Sequence, residues 1–217
     1  MRVAEAGCTS QGPRKSLRRY HRRPSCRCHA SPAASRPLCS ASRLLALDRD
    51  SGEAVAEYVY VSDAVSAAPQ PGSGFATNGL VELLHVPGSD DLLLAVERSF
   101  SEGVGNSIKL YLAHLDGATD VLGIDSLQGR SYASVQKELL LDLGSLGVAL
   151  DNIEGLTWGP SINGRQTLVL VADNNFASTQ VTQFLAFEVT PVPEPETYAL
   201  TLAGLAAVAL ATRRRRG

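Results

Sequence analysis

Asn78-Gly79-Leu80-Val81-Glu82-Leu83-Leu84-His85-Val86-Pro87-Gly88-Ser89-Asp90-Asp91-Leu92-Leu93-Leu94-Ala95-Val96-Glu97-Arg98-Ser99 decides the fold. Two short aliphatic runs flank a turn cluster of Pro, Gly, Ser and Asp. Such runs are too short for helices, and their spacing suits an antiparallel hairpin of 81–84 with 92–96. The same texture spreads outward in both directions. Further runs at 43–48, 55–61, 107–113, 135–142, 153–158, 167–172 and 180–189 are separated by Asp50-Ser51-Gly52, Asp116-Gly117 and Asn163-Gly164. Asn-Gly and Asp-Gly supply the positive φ values that tight hairpins need. No helical period is sustained, so the sequence predicts an all-β domain over residues 43–190. A second hairpin, 156–158 with 168–171, is as clear as the first.

Both hairpins are followed by polar groups, Glu97-Arg98 in one and Asp173-Asn174-Asn175 in the other. In a propeller, equivalent strand ends of successive blades project to one face or to the central channel. The expected architecture is therefore a partial β-propeller-like array of antiparallel blades. Taken singly, these residues also read as strand caps: Glu97-Arg98 as an ion pair, and Asp173-Asn174-Asn175 as a turn in which Asn accepts left-handed φ. Trp158, Phe184 and Phe187 read as core, whereas His85 and His114 each sit beside a turn and read as surface residues.

Charge divides the chain into unlike parts. Residues 1–43 hold ten Lys and Arg against one acid, and the last five residues add Arg213, Arg214, Arg215 and Arg216. The stretch 44–212 holds six basic and 21 acidic residues, a formal charge of -15. Such a body repels polyanions, which excludes a nucleic-acid partner, and it suits hard cations that take oxygen ligands. All four cysteines, Cys8, Cys26, Cys28 and Cys39, lie in the basic N-terminal part. The Cys26-Arg27-Cys28 spacing is not that of zinc ligands.

Residues 1–42 contain no apolar stretch of signal-peptide length and no hydrophobic period. They read as a disordered basic arm, as a transit-type peptide, or, in the preferred reading, as upstream sequence translated from an incorrect start. The opposite end is a targeting device. Pro193-Glu194-Pro195 precedes an apolar run over 198–212 and the four terminal arginines. That run reads as one short apolar helix, below the ~20 residues a comfortable membrane span needs, and the arginines hold its end on the cytoplasmic side. The segment 191–217 resembles the PEP-CTERM sorting signal of exported bacterial proteins. The resemblance implies transient anchoring in the inner membrane, processing by an exosortase-type membrane peptidase, and a final location at the cell surface or outside the cell.

A second resemblance rests on Asn78–Leu84 with Leu92–Phe100, on Asp151-Asn152-Ile153-Glu154-Gly155-Leu156-Thr157-Trp158, on Leu168-Val169-Leu170-Val171-Ala172-Asp173-Asn174-Asn175-Phe176, and on Gln180-Val181-Thr182-Gln183-Phe184. Together these stretches resemble the exported phytase-like family named for an esterase-like activity of phytase. The resemblance implies a propeller-like, hydrolase-type domain acting on phosphate or carboxylate esters. It also implies that the first blades are missing and the β domain over 43–190 is N-terminally truncated, and a partial propeller would expose strand edges and aggregate.

The residues themselves offer compatible chemistry. Glu82, Asn152, Asp173, Asn174 and Asn175 supply oxygen ligands of the kind Ca2+ prefers, so they are the candidate metal ligands, with calcium the candidate cofactor. A bound cation would polarise a phosphate for attack by water. Glu97 and Glu154 are the candidate catalytic acids, and Arg98 and Lys137 the candidate contacts to an anionic ester. The sequence lacks the Gly-x-Ser-x-Gly elbow, the phosphate-binding Gly-x-x-x-x-Gly-Lys-Ser/Thr loop and His-Glu-x-x-His. The expectation is thus an exported phytase-like domain with metal-assisted phosphoester or ester hydrolysis. The alternative is a non-catalytic propeller that binds at the cell surface or in the extracellular matrix. Convergence of Glu82, Glu97, Glu154 and Asp173 on one metal would favour the enzyme, and their dispersal the binding module.

Overall fold

A computed structural model describes residues 18–23 and 40–190. The expected apolar helix and the sorting residues Pro193, Glu194, Pro195 and Arg213 to Arg216 lie outside the described residues. Among those described, no helix is long and apolar enough to cross a membrane.

The described chain is all-β, built as three antiparallel sheets with one short 3-10 turn at Leu143–Leu146. The first sheet has the order β1 (Arg18–Arg23), β2 (Ala41–Asp48), β3 (Ala54–Val61). The second is a meander of β4 (Ala76–His85), β5 (Leu92–Ser101), β6 (Gly105–His114) and β7 (Gln136–Asp142). The third has the order β10 (Gln183–Val189), β9 (Arg165–Ala172), β8 (Ile153–Ile162). All nine strands expected from the sequence form, and both expected hairpins pair. Among the described residues no strand is shared between the three sheets.

Three differences from the sequence expectation have physical reasons. Residues 18–23, within the segment read as lacking folding logic, pair antiparallel with β2 from Arg18↔Asp48 to Arg23↔Arg43. An edge strand needs backbone partners rather than an apolar period, and charged side chains are common on edges. Next, β5, expected over 92–99, continues two residues further to Ser101, pairing Ser101 with Ala76 and with Gly105. Backbone hydrogen bonding carries the strand beyond its apolar run. Finally, Phe184, read as core, is 70% exposed on the edge strand β10.

Leu44, Tyr60, Leu80, Leu93, Ala95, Tyr111, Ala113, Leu115 and Val135 form a buried core between the first and second sheets. The long β6–β7 connection helps to join them. Val121 N–H donates to Glu57 O at 2.7 Å and Val135 N–H to Val59 O at 2.8 Å, so this loop borrows the free edge of β3. Arg43 on β2 reinforces the join: its guanidinium meets Glu57 Oε2 at 2.6 Å and donates to Ile124 O at 2.7 Å. In the third sheet, Asn163 (φ 52) and Gly164 (φ 78) make the tight turn that their sequence predicts.

The chain divides into two compact units. One holds the strands of the first two sheets, the chain as far as Thr157 and the segment 170–185; the other holds Trp158–Val169 and the chain from Ala186. Within the second unit, Thr167 Oγ1 donates to Pro160 O at 2.7 Å, Gln166 Nε2 to Gly159 O at 2.8 Å, and Arg165 pairs with Glu188. All the site residues described below belong to the first unit.

Candidate functional site

Strand β5 is the centre of the candidate site because its two faces carry different chemistry. Side chains alternate across a strand, so Leu93, Ala95, Glu97, Ser99 and Ser101 share one face, and Arg98 projects from the other. The first half of that shared face is apolar core. From Glu97 onward it becomes polar, and each polar group there holds the segment that follows β3. Asp63 N–H donates to Glu97 Oε2 at 2.9 Å, Ser66 N–H to Ser99 Oγ at 3.0 Å, and Ser101 Oγ to Ala67 O at 2.6 Å. Glu102 extends the line, its backbone carbonyl accepting from Gln70 N–H at 2.8 Å. Gly103 (φ 71) is required at the turn, since a Cβ there would lie 2.0 Å from Gln70 O.

Glu97 is 2% exposed yet well solvated by the protein. Its carboxylate accepts from Tyr60 OH at 2.8 Å, from Asn78 Nδ2 at 2.9 Å and from the Asp63 amide, and it pairs with Lys137 Nζ. Lys137, on β7, also meets Asp63 Oδ1 at 2.6 Å, while Tyr111 OH donates to Asp63 Oδ2 at 2.6 Å. The ammonium lies 4.5 Å from the centre of the Tyr111 ring and 5.2 Å from that of Tyr60, within cation–π reach of both. The side chains grade outward from Glu97 through Lys137 (16% exposed) to Asp63 (43% exposed). Asp63 therefore lies at the outer end and Glu97 at the buried end of one cluster, with Lys137 between them against the Tyr60 and Tyr111 rings.

Burial and the charge of Glu97 both push the Tyr60 hydroxyl above the ordinary tyrosine range. Burial, then the hydrogen bond to Asp63, does the same for Tyr111. For Asp63, burial works to raise the carboxyl pKa, but the hydrogen bonds from Lys137 and Tyr111 and the charges of Lys137 and Lys109 outweigh it, so the net shift is downward. Asp63 is thus an ionised carboxylate at neutral pH, and both phenols are protonated donors.

The outward face of β5 carries the second pairing. Arg98 Nη1 lies 3.2 Å from Glu154 Oε1, and Asn152 Nδ2 donates to the same oxygen. The loop before β8 is fastened beside it. Asp151 accepts from Val181 N–H at 2.6 Å, Asn152 N–H at 2.7 Å and Gln180 Nε2 at 3.2 Å, and these bonds, the Val181 amide foremost, lower its pKa. The four expected catalytic residues are therefore brought together as two separate pairs, Glu97 with Lys137 and Arg98 with Glu154, on opposite faces of one strand.

The expected calcium ligands behave differently. Glu82 lies on β4, where its Oε1 accepts from Leu83 N–H at 2.8 Å. Asn152 precedes β8 and Asp173 to Asn175 follow β9, which puts those four at one end of a hairpin. Their amides are occupied there: Asn174 Oδ1 accepts from Phe176 N–H at 3.3 Å, and Asn175 Nδ2 donates to Gln180 Oε1 at 3.2 Å. Asn175 (φ 48) and Phe176 (φ 56) take left-handed conformations in that turn. Among the described residues, no group of three or more His, Cys, Asp or Glu side chains gathers as a metal site would require. The steps proposed below run through side chains and not through a metal.

Sequence reasoning missed Tyr60, Asp63 and Tyr111, half of the cluster. Tyr60 and Tyr111 alternate with aliphatic residues and carry no sign beyond core packing, and Asp63 follows a strand as many turn residues do. Only the approach of β3 and its following segment to β5 and β7 makes them a unit.

No curated protein and no solved structure matches the chain significantly. The PEP-CTERM protein-sorting motif matches residues 191–216. It implies export, with a C-terminal membrane anchor that precedes processing by an exosortase-type system. The description "Phytase-like: Esterase-like activity of phytase" matches residues 29–176, so the likeness begins before the all-β domain expected from residue 43. That span is more than half of the chain, and the protein belongs to the phytase-like family.

Proposed function

We propose that this exported domain binds and hydrolyses an anionic ester, a phosphate or carboxylate ester, at the site formed by Asp63, Tyr111 and Lys137. One observation carries the reading: Lys137, a cation over two aromatic faces, is shared between the buried Glu97 and the partly exposed Asp63. Glu97 keeps the ammonium aimed. Lys137 and Tyr111 donate to the ester's anionic oxygen, where negative charge grows during attack. Water forms the new bond to phosphorus or carbonyl carbon and passes its proton to the Asp63 carboxylate. The bond to the leaving oxygen then breaks, and that oxygen takes a proton from solvent. A carboxylate is a weak base at neutral pH, so the expected turnover is slow. The proposed site of action is the cell surface or the medium, a reading that the sorting motif's implied export supports.

The test is hydrolysis of p-nitrophenyl phosphate, p-nitrophenyl acetate and phytate by the full chain, with Ca2+ and with chelator. Turnover that falls at least about a hundredfold in Lys137→Met, with the fold intact, supports the reading. Turnover indifferent to that substitution overturns it. The calcium arm decides whether a cation assists, and rescue by Ca2+ after chelation would revive a metal role for Glu82, Asn152 and Asp173 to Asn175. A second reading, a non-catalytic binding module of the surface or matrix, draws support from the dispersal of Glu82, Glu97, Glu154 and Asp173. Ester binding without turnover in every arm would establish it.

A further inference from the structure

Asp63 is held as a ligand would be held. Its two carboxylate oxygens are gripped separately, Oδ1 by the Lys137 ammonium and Oδ2 by the Tyr111 hydroxyl, each at 2.6 Å. Of the two carboxylates on Lys137, only this one is free to leave. Glu97 is buried and receives three further donors, whereas the Asp63 side chain is 43% exposed. The backbone of Asp63 is fastened independently: its N–H donates to Glu97, and its carbonyl accepts from Asn78 Nδ2 at 2.8 Å. The side chain can therefore rotate outward about one bond without unseating the segment. Rotation would leave Lys137 balanced by Glu97 alone, with the charge of Lys109 also acting at the position vacated.

We infer that Asp63 is a built-in competitor, occupying an oxyanion site made by Lys137 and Tyr111 that receives the phosphate or carboxylate group of an external ligand. This deepens the proposed function and rests on its placement of the site. An intramolecular carboxylate competes at high effective concentration. The protein accordingly holds ligands less tightly than the site allows, by the fraction of molecules in which Asp63 has swung out. Product release benefits from the same device, because the departing anion is replaced by Asp63 rather than by water. The chemistry shared by the candidate ligands is a pair of terminal anionic oxygens spaced like those of a carboxylate.

The experiment titrates the full chain with inorganic phosphate and, separately, with acetate, followed by calorimetry and by chemical-shift changes. Asp63→Ala is expected to bind one of these anions about tenfold more tightly than the parent chain. Adding Lys137→Met or Tyr111→Phe is expected to remove most of that gain. The anion that gains more identifies the source, phosphate or carboxylate. Equal affinity in Asp63→Ala and the parent overturns the inference, as does a gain that survives Lys137→Met, which would reflect net charge alone. Should the alanine variant lose its folded circular dichroism, Asp63→Asn is read in its place, since it keeps the shape while removing the charge. Wild-type turnover with no gain in the variants sinks the competitor alone. Tighter binding in the variants with no turnover in the wild type sinks the hydrolase alone.

Discussion

Glu97 and Arg98 are consecutive residues of one strand, yet they occupy different dielectric surroundings. Glu97 points into the join between two sheets, where it is 2% exposed and meets Tyr60, Asn78, Lys137 and the Asp63 amide. Arg98 points the other way and reaches Glu154, with side chains that are 25% and 45% exposed. Both residues are charged and they are adjacent in sequence, so the contrast in burial comes from what the topology lays over each face. Over Glu97 it lays the segment after β3 and the aromatic rings of Tyr60 and Tyr111. Over Arg98 it lays a loop end still open to water. A buried pair is costly to break, and an exposed one is nearly neutral.

The sharpest way to break this contrast is to remove the Glu97 charge. Glu97→Leu leaves the Lys137 ammonium over its rings with Asp63 alone, and strands the Tyr60 hydroxyl, the Asn78 amide and the Asp63 N–H. The expected loss is about 3–5 kcal/mol, read as a lower urea midpoint. Changing both partners, Glu97→Leu with Lys137→Met, is expected to recover part of it, because the charge then left without its ion-pair partner, Asp63, is 43% exposed and still accepts from Tyr111. A double variant as unstable as the single one would show that the pair acts through shape rather than charge.

Smaller effects are expected from the phenols. Tyr60→Phe withdraws one donor from a buried carboxylate and should cost about 1–3 kcal/mol, whereas Tyr111→Phe withdraws one from the partly exposed Asp63 and should cost about 1 kcal/mol. Their ionisation provides an independent reading. Both hydroxyls have pKa values above the ordinary ~10, raised first by burial. Their protonated forms therefore stabilise the fold fully below pH ~10, and that contribution declines at higher pH as the unfolded chain ionises. Absorbance titration should show Tyr60 and Tyr111 still protonated above the ordinary tyrosine range, until the chain unfolds. All six tyrosines ionising together would refute the buried assignment.

Acid probes both regions at once, through one carboxylate in each. Asp63 is depressed by Lys137 and Tyr111 against its burial, and Asp151 by the Val181 and Asn152 amides. A depressed folded pKa gives stability that is present above the unfolded value of ~3.9 and lost as pH falls through the folded one. The urea midpoint should accordingly fall between pH 4 and the acid limit. Asp63→Asn and Asp151→Asn should each be less stable near neutral pH and show a shallower acid slope. An unchanged slope in either variant would remove that carboxylate from the account.

The strands were legible because hairpins are local: Pro87-Gly88 and Asn163-Gly164 announce turns, and aliphatic runs of the right length flank them. The ion pairs were half legible. Glu97, Arg98, Lys137 and Glu154 stood out as charges beside apolar runs, but which charge meets which depends on the face each side chain takes. Extending β5 to Ser101 places Glu97 mid-strand and decides the matter. Asp63 and Tyr111 were illegible, because they meet Lys137 from 74 and 26 positions away in sequence, and no local pattern encodes such a meeting. The same limit explains Phe184, whose apolar character predicts burial but whose strand lies at a sheet edge.

The smallest expected effect lies on the open face. Arg98→Ala or Glu154→Gln removes an ion pair that water already screens, so either should change stability by only about 0–1 kcal/mol, and less at high salt. Asn152 donates to the same Glu154 oxygen, so the loop before β8 keeps one tie to that carboxylate when Arg98 is gone. Asp151 holds the loop through its own bonds to Val181 and Gln180. Hydrolysis is the more discriminating measurement. With the chemistry on the Glu97 face, Arg98→Ala should leave ester turnover within about twofold of the parent. A large fall in turnover without a fall in stability would move the site to the other side of β5.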